Sequence, residues 1–155
     1  MASDRIEQSG SIAANAASDS AGKGGTITVI ADLANPNSQT EISGSLSARA
    51  GELGGDGGYV DTSGSHIRIA DGTRIDTSAP RGNTGSWLID PSDFIISAVN
   101  SGTISSGSPS GDISGATLTA ALASSNVSIL SSAGSTTSGS GNIYVNDTEI
   151  GRAHV

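Results

Sequence analysis

A unit of roughly 30 residues occurs three times along the chain, and a repeat of this length is the sequence feature that most restricts the possible folds. Each copy contains a short strand-like segment, a glycine-rich loop and a second strand-like segment. The three copies occupy residues 11–30, 44–61 and 72–90. Units of this size bury their apolar face by stacking on their neighbours, so the chain is expected to form one stack of similar layers.

The chemistry within each copy favours strands. Residues 26–30 read Thr-Ile-Thr-Val-Ile, in which small polar residues alternate with β-branched apolar ones. Hydrophobic residues make up 34% of the 155 residues and aromatic residues only 3%, so the inward side chains must fill a narrow interior. Glycines between the strands allow tight corners. The predicted fold class is therefore all-β, a parallel β-helix (β-solenoid) with Gly/Ser-rich corner loops and one short helix.

An antiparallel β-sandwich is the weaker alternative. A sandwich usually joins neighbouring strands by two-residue turns such as Asn-Gly or Asp-Gly. Only two such pairs occur, Asp56-Gly57 and Asp71-Gly72. The first lies within a longer glycine loop, and a corner between stacked layers explains the second equally well.

A helical pattern follows the repeats. Leu118, Ala121 and Leu122 are spaced by three and four residues, which predicts a short amphipathic helix of about two turns. The expected limits of this helix are Ser114 or Thr117 at its start and Asn126 near its end. The segments around it are predicted to be a strand at 127–130 and loops at 97–113 and 131–141.

A predicted turn separates two of the few aromatic residues. Residues 90–93 read Asp-Pro-Ser-Asp, which favours a type I β-turn that would fold the strand of Trp87 onto the strand of Phe94. This turn accounts for the presence of Asp90 and Asp93, so the two carboxylates are not interpreted as a catalytic pair. Trp87 and Phe94 are then expected to be the large buried side chains of one layer, and an exposed aromatic pair that stacks on sugars is the alternative.

The same region carries a family resemblance. Residues 85–96 read Gly-Ser-Trp-Leu-Ile-Asp-Pro-Ser-Asp-Phe-Ile-Ile. This segment resembles the Gly-x-Trp-Leu-(Leu/Ile)-Asp-Pro-x-Asp motif of filamentous-haemagglutinin-like adhesins, the large exoproteins of bacterial two-partner secretion. Residues 24–29, 117–129 and 141–146 are also similar to the family pattern, so the resemblance covers nearly all of 10–148.

The resemblance implies a structural and adhesive role. Such a chain would be part of a right-handed β-helical shaft, secreted or displayed on the outer surface of a Gram-negative cell for attachment to host or other cells. The implied partners are an outer-membrane two-partner-secretion transporter for the full-length protein, and host glycans or cell-surface receptors. The sequence contains neither the family's signal peptide nor its Asn-Pro-Asn-Gly motifs. Residues 35–38 read Asn-Pro-Asn-Ser, which differs from that motif at its last position. Residues 1–148 are therefore expected to be an internal piece of the shaft.

The last seven residues differ in character from the rest. Residues 149–155 read Glu-Ile-Gly-Arg-Ala-His-Val, and they match residue for residue the translation of a widely used sequencing adapter. We therefore expect this segment to be an assembly artefact and exclude it from functional interpretation.

Composition argues against several classes of partner. The 15 acidic and seven basic residues give a net charge of −8, and the basic residues form no stripe that could neutralise several phosphates, so nucleic acid is not expected as a partner. Cysteine is absent, which excludes disulfides and thiolate metal sites. No apolar stretch is long enough to span a bilayer, so no membrane-spanning segment is predicted.

The sequence predicts no enzyme activity, and no catalytic, cofactor-binding or metal-binding residue is assigned. His66 alternates with Arg68 on the predicted outer face of a strand, where a solvated histidine is the preferred interpretation. Residues 54–61 approach the Gly-Gly-x-Gly-x-Asp calcium repeat, but Tyr59 occupies a required acidic position. The alternative function is a fragment of a carbohydrate-active β-helix enzyme whose catalytic coils lie outside this chain.

Overall fold

The computed structural model describes residues 4–98, 111–131 and 139–147. These residues form parallel β-sheets and one short helix. The elements are β1 (Arg5–Gln8), β2 (Ser11–Ala13), β3 (Thr26–Ile30), β4 (Gln39–Ile42), β5 (Ser45–Ser47), β6 (Tyr59–Ser63), β7 (His66–Ile69), β8 (Arg74–Asp76), β9 (Ser86–Asp90), β10 (Phe94–Ser97), β11 (Ile113–Ser114), α1 (Gly115–Leu122), β12 (Asn126–Ile129) and β13 (Ile143–Asn146).

The first nine strands belong to three sheets, and the chain enters these sheets in the same order three times. The sheets have the strand orders β1-β4-β7, β2-β5-β8 and β12-β9-β6-β3. All pairings between these strands are parallel. The all-β prediction and the parallel pairing of successive repeats are therefore confirmed.

The register shows that equivalent positions of the repeats lie beside one another. Ile12 pairs with Leu46, and Leu46 pairs with Ile75. In the neighbouring sheet Val60 pairs with Trp87. A one-residue slip would turn every apolar side chain outward, so the alternation of apolar and polar residues fixes this register.

The apolar core lies between the sheets. Alternate residues are buried in β3 to β10, as in β4 and β7, where every second side chain is apolar or Thr and points inward. All residues of β2 and β13 are exposed. The side chains are mostly Ile, Val and Leu, and the two largest buried ones are Trp87 and Phe94. One continuous cluster joins these residues from β3 to α1.

A third strand in each repeat was not predicted for the first two repeats. β1 pairs with β4, and β4 pairs with β7, whose segment is predicted to be a strand but not part of the repeat. Their outward positions carry Arg, Glu and Gln, which weaken the apolar signal in such short segments. The predicted loop at 97–113 is also partly wrong, because Ile113 lies in β11 and pairs with Ile96.

Helix α1 occupies the place where a further strand of the β2-β5-β8 sheet would lie. The Ser124 hydroxyl, just after the helix, donates to the carbonyl of Ile75 at 2.8 Å, and Thr77 N–H donates to the Ser124 carbonyl at 3.1 Å. The helix thus covers the edge of β8, which would otherwise expose unpaired backbone groups.

The helix limits agree in part with the prediction. Ser114 is the N-cap, and its hydroxyl accepts a hydrogen bond from Thr117 N–H at 3.2 Å. The helix ends at Leu122, earlier than Asn126, which is the first residue of β12. Leu118 and Ala121 are buried as expected, whereas Leu122 is exposed.

The predicted strand after the helix is present as β12, and a further strand, β13, lies near the end of the described residues. β12 extends the sheet beside β9, and β13 pairs with β10. Most of the predicted loop at 131–141, and the segment 149–155, lie outside the described residues.

Candidate functional site

The two large aromatic residues are core residues. Trp87 and Phe94 have no exposed surface. The indole Nε1–H of Trp87 donates to the hydroxyl of Thr62 at 2.9 Å, and that hydroxyl donates to the Leu88 carbonyl at 3.2 Å. The polar edge of the indole is therefore satisfied inside the protein. The prediction of buried anchors is confirmed, and stacking of this pair on an external sugar is wrong for this structure.

The segment 90–93 joins strands of two different sheets and is held by the neighbouring layers. Gly64 N–H donates to the Asp90 carbonyl at 3.4 Å, and Ser92 N–H donates to the Ser65 carbonyl at 3.1 Å. β9 and β10 do not pair with each other. The prediction that this segment folds one strand directly onto the other is wrong, because β9 pairs with β6 and β12 whereas β10 pairs with β11 and β13 in a different sheet.

The Asp93 carboxylate has a role that the turn does not explain. Its Oδ1 accepts hydrogen bonds from the backbone N–H groups of Ser140 at 2.8 Å and Asn142 at 2.9 Å. These residues precede β13, which pairs with β10. Asp93 therefore fixes the start of the next layer. Asp93 and Asn142 are 49 residues apart in the sequence, so no local sequence pattern predicts this contact.

The predicted outer-face position of His66 and Arg68 is confirmed. Both side chains alternate with buried Ile67 and Ile69 in β7. Arg68 forms an ion pair with Glu41 on the neighbouring strand, and Arg5 reaches the same carboxylate at 3.2 Å. The Arg68 and Glu41 side chains are mostly buried, at 13% and 18% exposed, whereas the Arg5 side chain is 59% exposed. Only the Arg5 contact therefore belongs to the exposed ion pairs that contribute little stability individually.

A cleft opens beside helix α1. One wall is the segment 71–74, which leads into β8, and the other is the start of the helix with Ala98 after β10. Its volume is about 350 Å³. Ser114 and Thr117 line the floor, and both are buried. Ala116 and Ala120 present small apolar side chains on one face of the helix.

A hydroxyl pair holds the carboxylate of Asp71 at the cleft. The Ser114 hydroxyl donates to Asp71 Oδ1 at 2.6 Å, and the Thr117 hydroxyl donates to the same oxygen at 3.3 Å. The two hydroxyl oxygens lie 2.9 Å apart. Both Asp71 and Arg74 are exposed at the rim of the cleft. Oppositely charged groups therefore lie on one rim of a concave surface.

Sequence reasoning missed this cleft. From the sequence alone, Asp71 is expected only at a corner, and Ser114 and Thr117 only at the start of the helix. The contact between Asp71 and Ser114 spans 43 residues. It exists because the helix replaces a strand beside β8, and no local spacing predicts that replacement.

A second unusual carboxylate lies between β7 and β10. Asp112 Oδ2 accepts the backbone N–H of Ile95 at 2.8 Å, and the Asp112 carbonyl accepts the N–H of Ile69 at 2.7 Å. The pKa of Asp112 is raised from 3.8 to about 6. Burial is the largest cause of the rise, the Ile95 hydrogen bond lowers the pKa in part, and the nearby charge of Asp93 adds to the rise. This carboxyl group is therefore disfavoured as an anion in the folded protein.

We expect Asp112→Asn to stabilise the protein at neutral pH. Since the folded-state pKa lies above the ordinary value of 3.8, the folded protein keeps this proton at a pH where the unfolded chain releases it. Stability should therefore fall as the pH rises from about 4 to 6. The amide keeps an acceptor for Ile95 without a charge, and should raise the free energy of unfolding at pH 7 by about 2 kcal/mol.

Urea denaturation between pH 4 and pH 8 measures this effect. The parent should lose stability across that interval relative to Asp112→Asn, whereas the two proteins should converge near pH 4. Asp19→Asn, which removes an exposed carboxylate on another turn, is the matched control and should follow the parent. Equal curves for the parent and Asp112→Asn at every pH would contradict the expectation.

No group of three or more possible metal ligands occurs among residues 4–98, 111–131 and 139–147. In the same ranges no helix has the length and apolar character needed to cross a membrane. Comparisons of the chain with protein-family models, with curated proteins and with solved structures gave no significant match.

Proposed function

We propose that this chain is a stretch of right-handed parallel β-helical shaft from a secreted or surface-displayed bacterial adhesin. The observation that carries the proposal is the order of the strands. The chain enters three parallel sheets in the same order three times, and each strand pairs in register with its equivalent in the next repeat. Connections between parallel strands of the same sheet are almost always right-handed. The proposed coil is therefore right-handed.

The packing of the adhesin-like segment supports the same proposal. Trp87 and Phe94, which belong to the Trp-Leu-Ile-Asp-Pro resemblance, fill the interior of one layer. Asp93 ties that layer to the next one through the backbone before β13. The segment that resembles the adhesin family is therefore a stacking element, as a shaft requires.

Disulfide trapping tests the β-helical architecture, because the chain contains no cysteine of its own. A pair of cysteines at register partners of adjacent parallel strands lies within disulfide distance, whereas diagonal positions two residues away do not. The three sheets that contain the first nine strands each offer a register pair on the outer face, namely Gln39 with His66, Ser45 with Arg74, and Thr28 with Asp61. We expect all three double-cysteine variants to crosslink within one chain under mild oxidation.

The diagonal pair Thr28→Cys with Tyr59→Cys is the matched control, because Tyr59 lies on the same face as Asp61 but pairs with Thr26. It should crosslink much more slowly than Thr28→Cys with Asp61→Cys. Crosslinking in one sheet only, or equal rates for the diagonal pair, would contradict a continuous three-sheet coil.

Attachment to cells tests the adhesive role. Beads coated with the full chain should be retained on cultured epithelial cells above the level of albumin-coated beads, and excess soluble chain should compete. Retention equal to the albumin control would contradict the adhesive role. Release of reducing ends or unsaturated products from polysaccharides by the purified chain would instead support the alternative of a carbohydrate-active enzyme.

A further inference from the structure

We propose that the cleft between residues 71–74 and helix α1 binds an acidic saccharide, a pyranose ring that carries a carboxylate and neighbouring hydroxyls. The proposal gives a ligand class to the adhesin described above, and its biological meaning rests on that proposed function. Its physical basis is separate from the strand order that carries the shaft proposal. Three features of the cleft contribute to it, namely a guanidinium, a carboxylate oxygen and a small apolar surface.

The guanidinium of Arg74 supplies the site for the ligand's carboxylate. Arg74 forms no ion pair with an acidic side chain among the described residues. Ion pairs are formed by four other basic residues, namely Arg5, Lys23, Arg49 and Arg68. Arg74 is exposed at the rim of the cleft. A planar guanidinium binds a carboxylate through two parallel hydrogen bonds, which fixes orientation as well as charge.

Asp71 supplies an acceptor for the ligand's hydroxyl groups. Its Oδ1 is occupied by Ser114 and Thr117, whose hydroxyls hold the carboxylate in one orientation. Within the part of the chain that the structure describes, Oδ2 of the same carboxylate has no hydrogen-bond donor. A fixed carboxylate oxygen that faces a cleft is a strong acceptor for a sugar hydroxyl, because little side-chain entropy remains to be lost on binding.

Three alanines supply the apolar contact. Ala98, Ala116 and Ala120 line the cleft beside the polar rim. Small side chains leave a shallow surface against which the C–H face of a pyranose ring can lie. The volume of about 350 Å³ is at the lower end of the range for small-molecule sites and accommodates one or two sugar rings.

The charge of the whole chain shapes the expected affinity. A net charge of −8 opposes the approach of any anion, so a carboxylate must be recognised by a local contact and not by long-range attraction. Binding should therefore be weak for a single sugar, and it should weaken further at high salt because the Arg74 contact is screened.

NMR titration of the full chain tests the site, with glucuronic acid as the probe and glucose and acetate as comparison ligands. We expect glucuronic acid to bind at least tenfold more tightly than either comparison ligand, with shifts at residues that line the cleft. Arg74→Gln should reduce the affinity at least tenfold, and Asp71→Asn, which replaces the free oxygen by an amide donor, should reduce it several-fold. Ala120→Trp fills the cleft without removing a polar group and should abolish binding.

Arg81→Gln is the matched control. Arg81 is also exposed and also forms no ion pair within the described residues, but it does not line the cleft. This variant removes the same charge and should bind like the parent. Circular dichroism of each variant verifies that the fold is retained, and the conservative changes at Arg74 and Asp71 keep the site testable if Ala120→Trp fails to fold.

Two results would overturn the proposal. Equal binding of acetate and glucuronic acid would show an anion contact without sugar recognition, and an equal loss in Arg81→Gln would show non-specific charge attraction. Failure of this site can be distinguished from failure of the shaft. Register crosslinking and cell attachment of the parent, with no glucuronic acid binding by the same protein, would refute the cleft proposal alone.

Discussion

Trp87→Ala should lower the free energy of unfolding by about 3 to 5 kcal/mol, because it removes the largest buried side chain of the core. The indole lies in register between Val60 and Val127 on the adjacent strands. Alanine would leave a cavity across those layers, and the Thr62 hydroxyl would lose the indole N–H that it accepts at 2.9 Å. Urea or thermal denaturation of the parent and the variant measures the loss.

A conservative control separates volume from hydrogen bonding. Trp87→Phe keeps most of the apolar volume and removes only the N–H donor to Thr62, so it should cost less than Trp87→Ala. Binding to cells should change only in proportion to the folded fraction. An unchanged denaturation midpoint in Trp87→Ala together with lost cell or glycan binding would show that Trp87 is a contact residue and would contradict its assignment to the core.

The sequence predicts the layers of this fold better than the connections between them. Alternating apolar residues and glycine loops are local patterns, so β2, β3, β5, β8 and β9 all lie within the three predicted repeats. β6 begins within the second repeat and extends two residues beyond its predicted end at Asp61. The parallel pairing of these strands follows from the repeat itself, since equivalent segments present equivalent faces. The burial of Trp87 follows from its apolar neighbours Leu88 and Ile89.

The candidate site could not be predicted in the same way. The cleft needs the segment 71–74 and the start of α1 to meet, and that contact depends on a helix taking the place of a strand beside β8. The raised pKa of Asp112 likewise depends on β11 lying beside β10, within a segment that was predicted to be a loop. Both features arise from long-range packing, which local propensity does not encode.

Glycine at the corner before β6 is required by the spacing between layers. Gly25, Gly58 and Gly85 lie one above the other, and the Gly25 carbonyl accepts the N–H of Tyr59 at 2.9 Å while the Gly58 carbonyl accepts the N–H of Ser86 at 3.0 Å. A Cβ atom on Gly58 would lie 2.7 Å from the Gly24 carbonyl carbon and still closer to the Gly25 carbonyl oxygen. Both are backbone atoms of the adjacent repeat, so they cannot rotate away from the new Cβ atom as the end of a flexible side chain could.

Gly58→Ala should therefore force two layers apart at the point where their backbone hydrogen bonds form. We expect a loss of about 3 kcal/mol or more in the free energy of unfolding, at the upper end of the cost of overpacking a core. Gly10→Ala is the matched control, since a Cβ at Gly10 meets no atom within 4 Å. Urea denaturation should leave Gly10→Ala close to the parent, and hydrogen exchange in Gly58→Ala should be fastest at the Tyr59 and Ser86 amides. Equal stability of the two glycine variants would contradict the close approach of the layers at this corner.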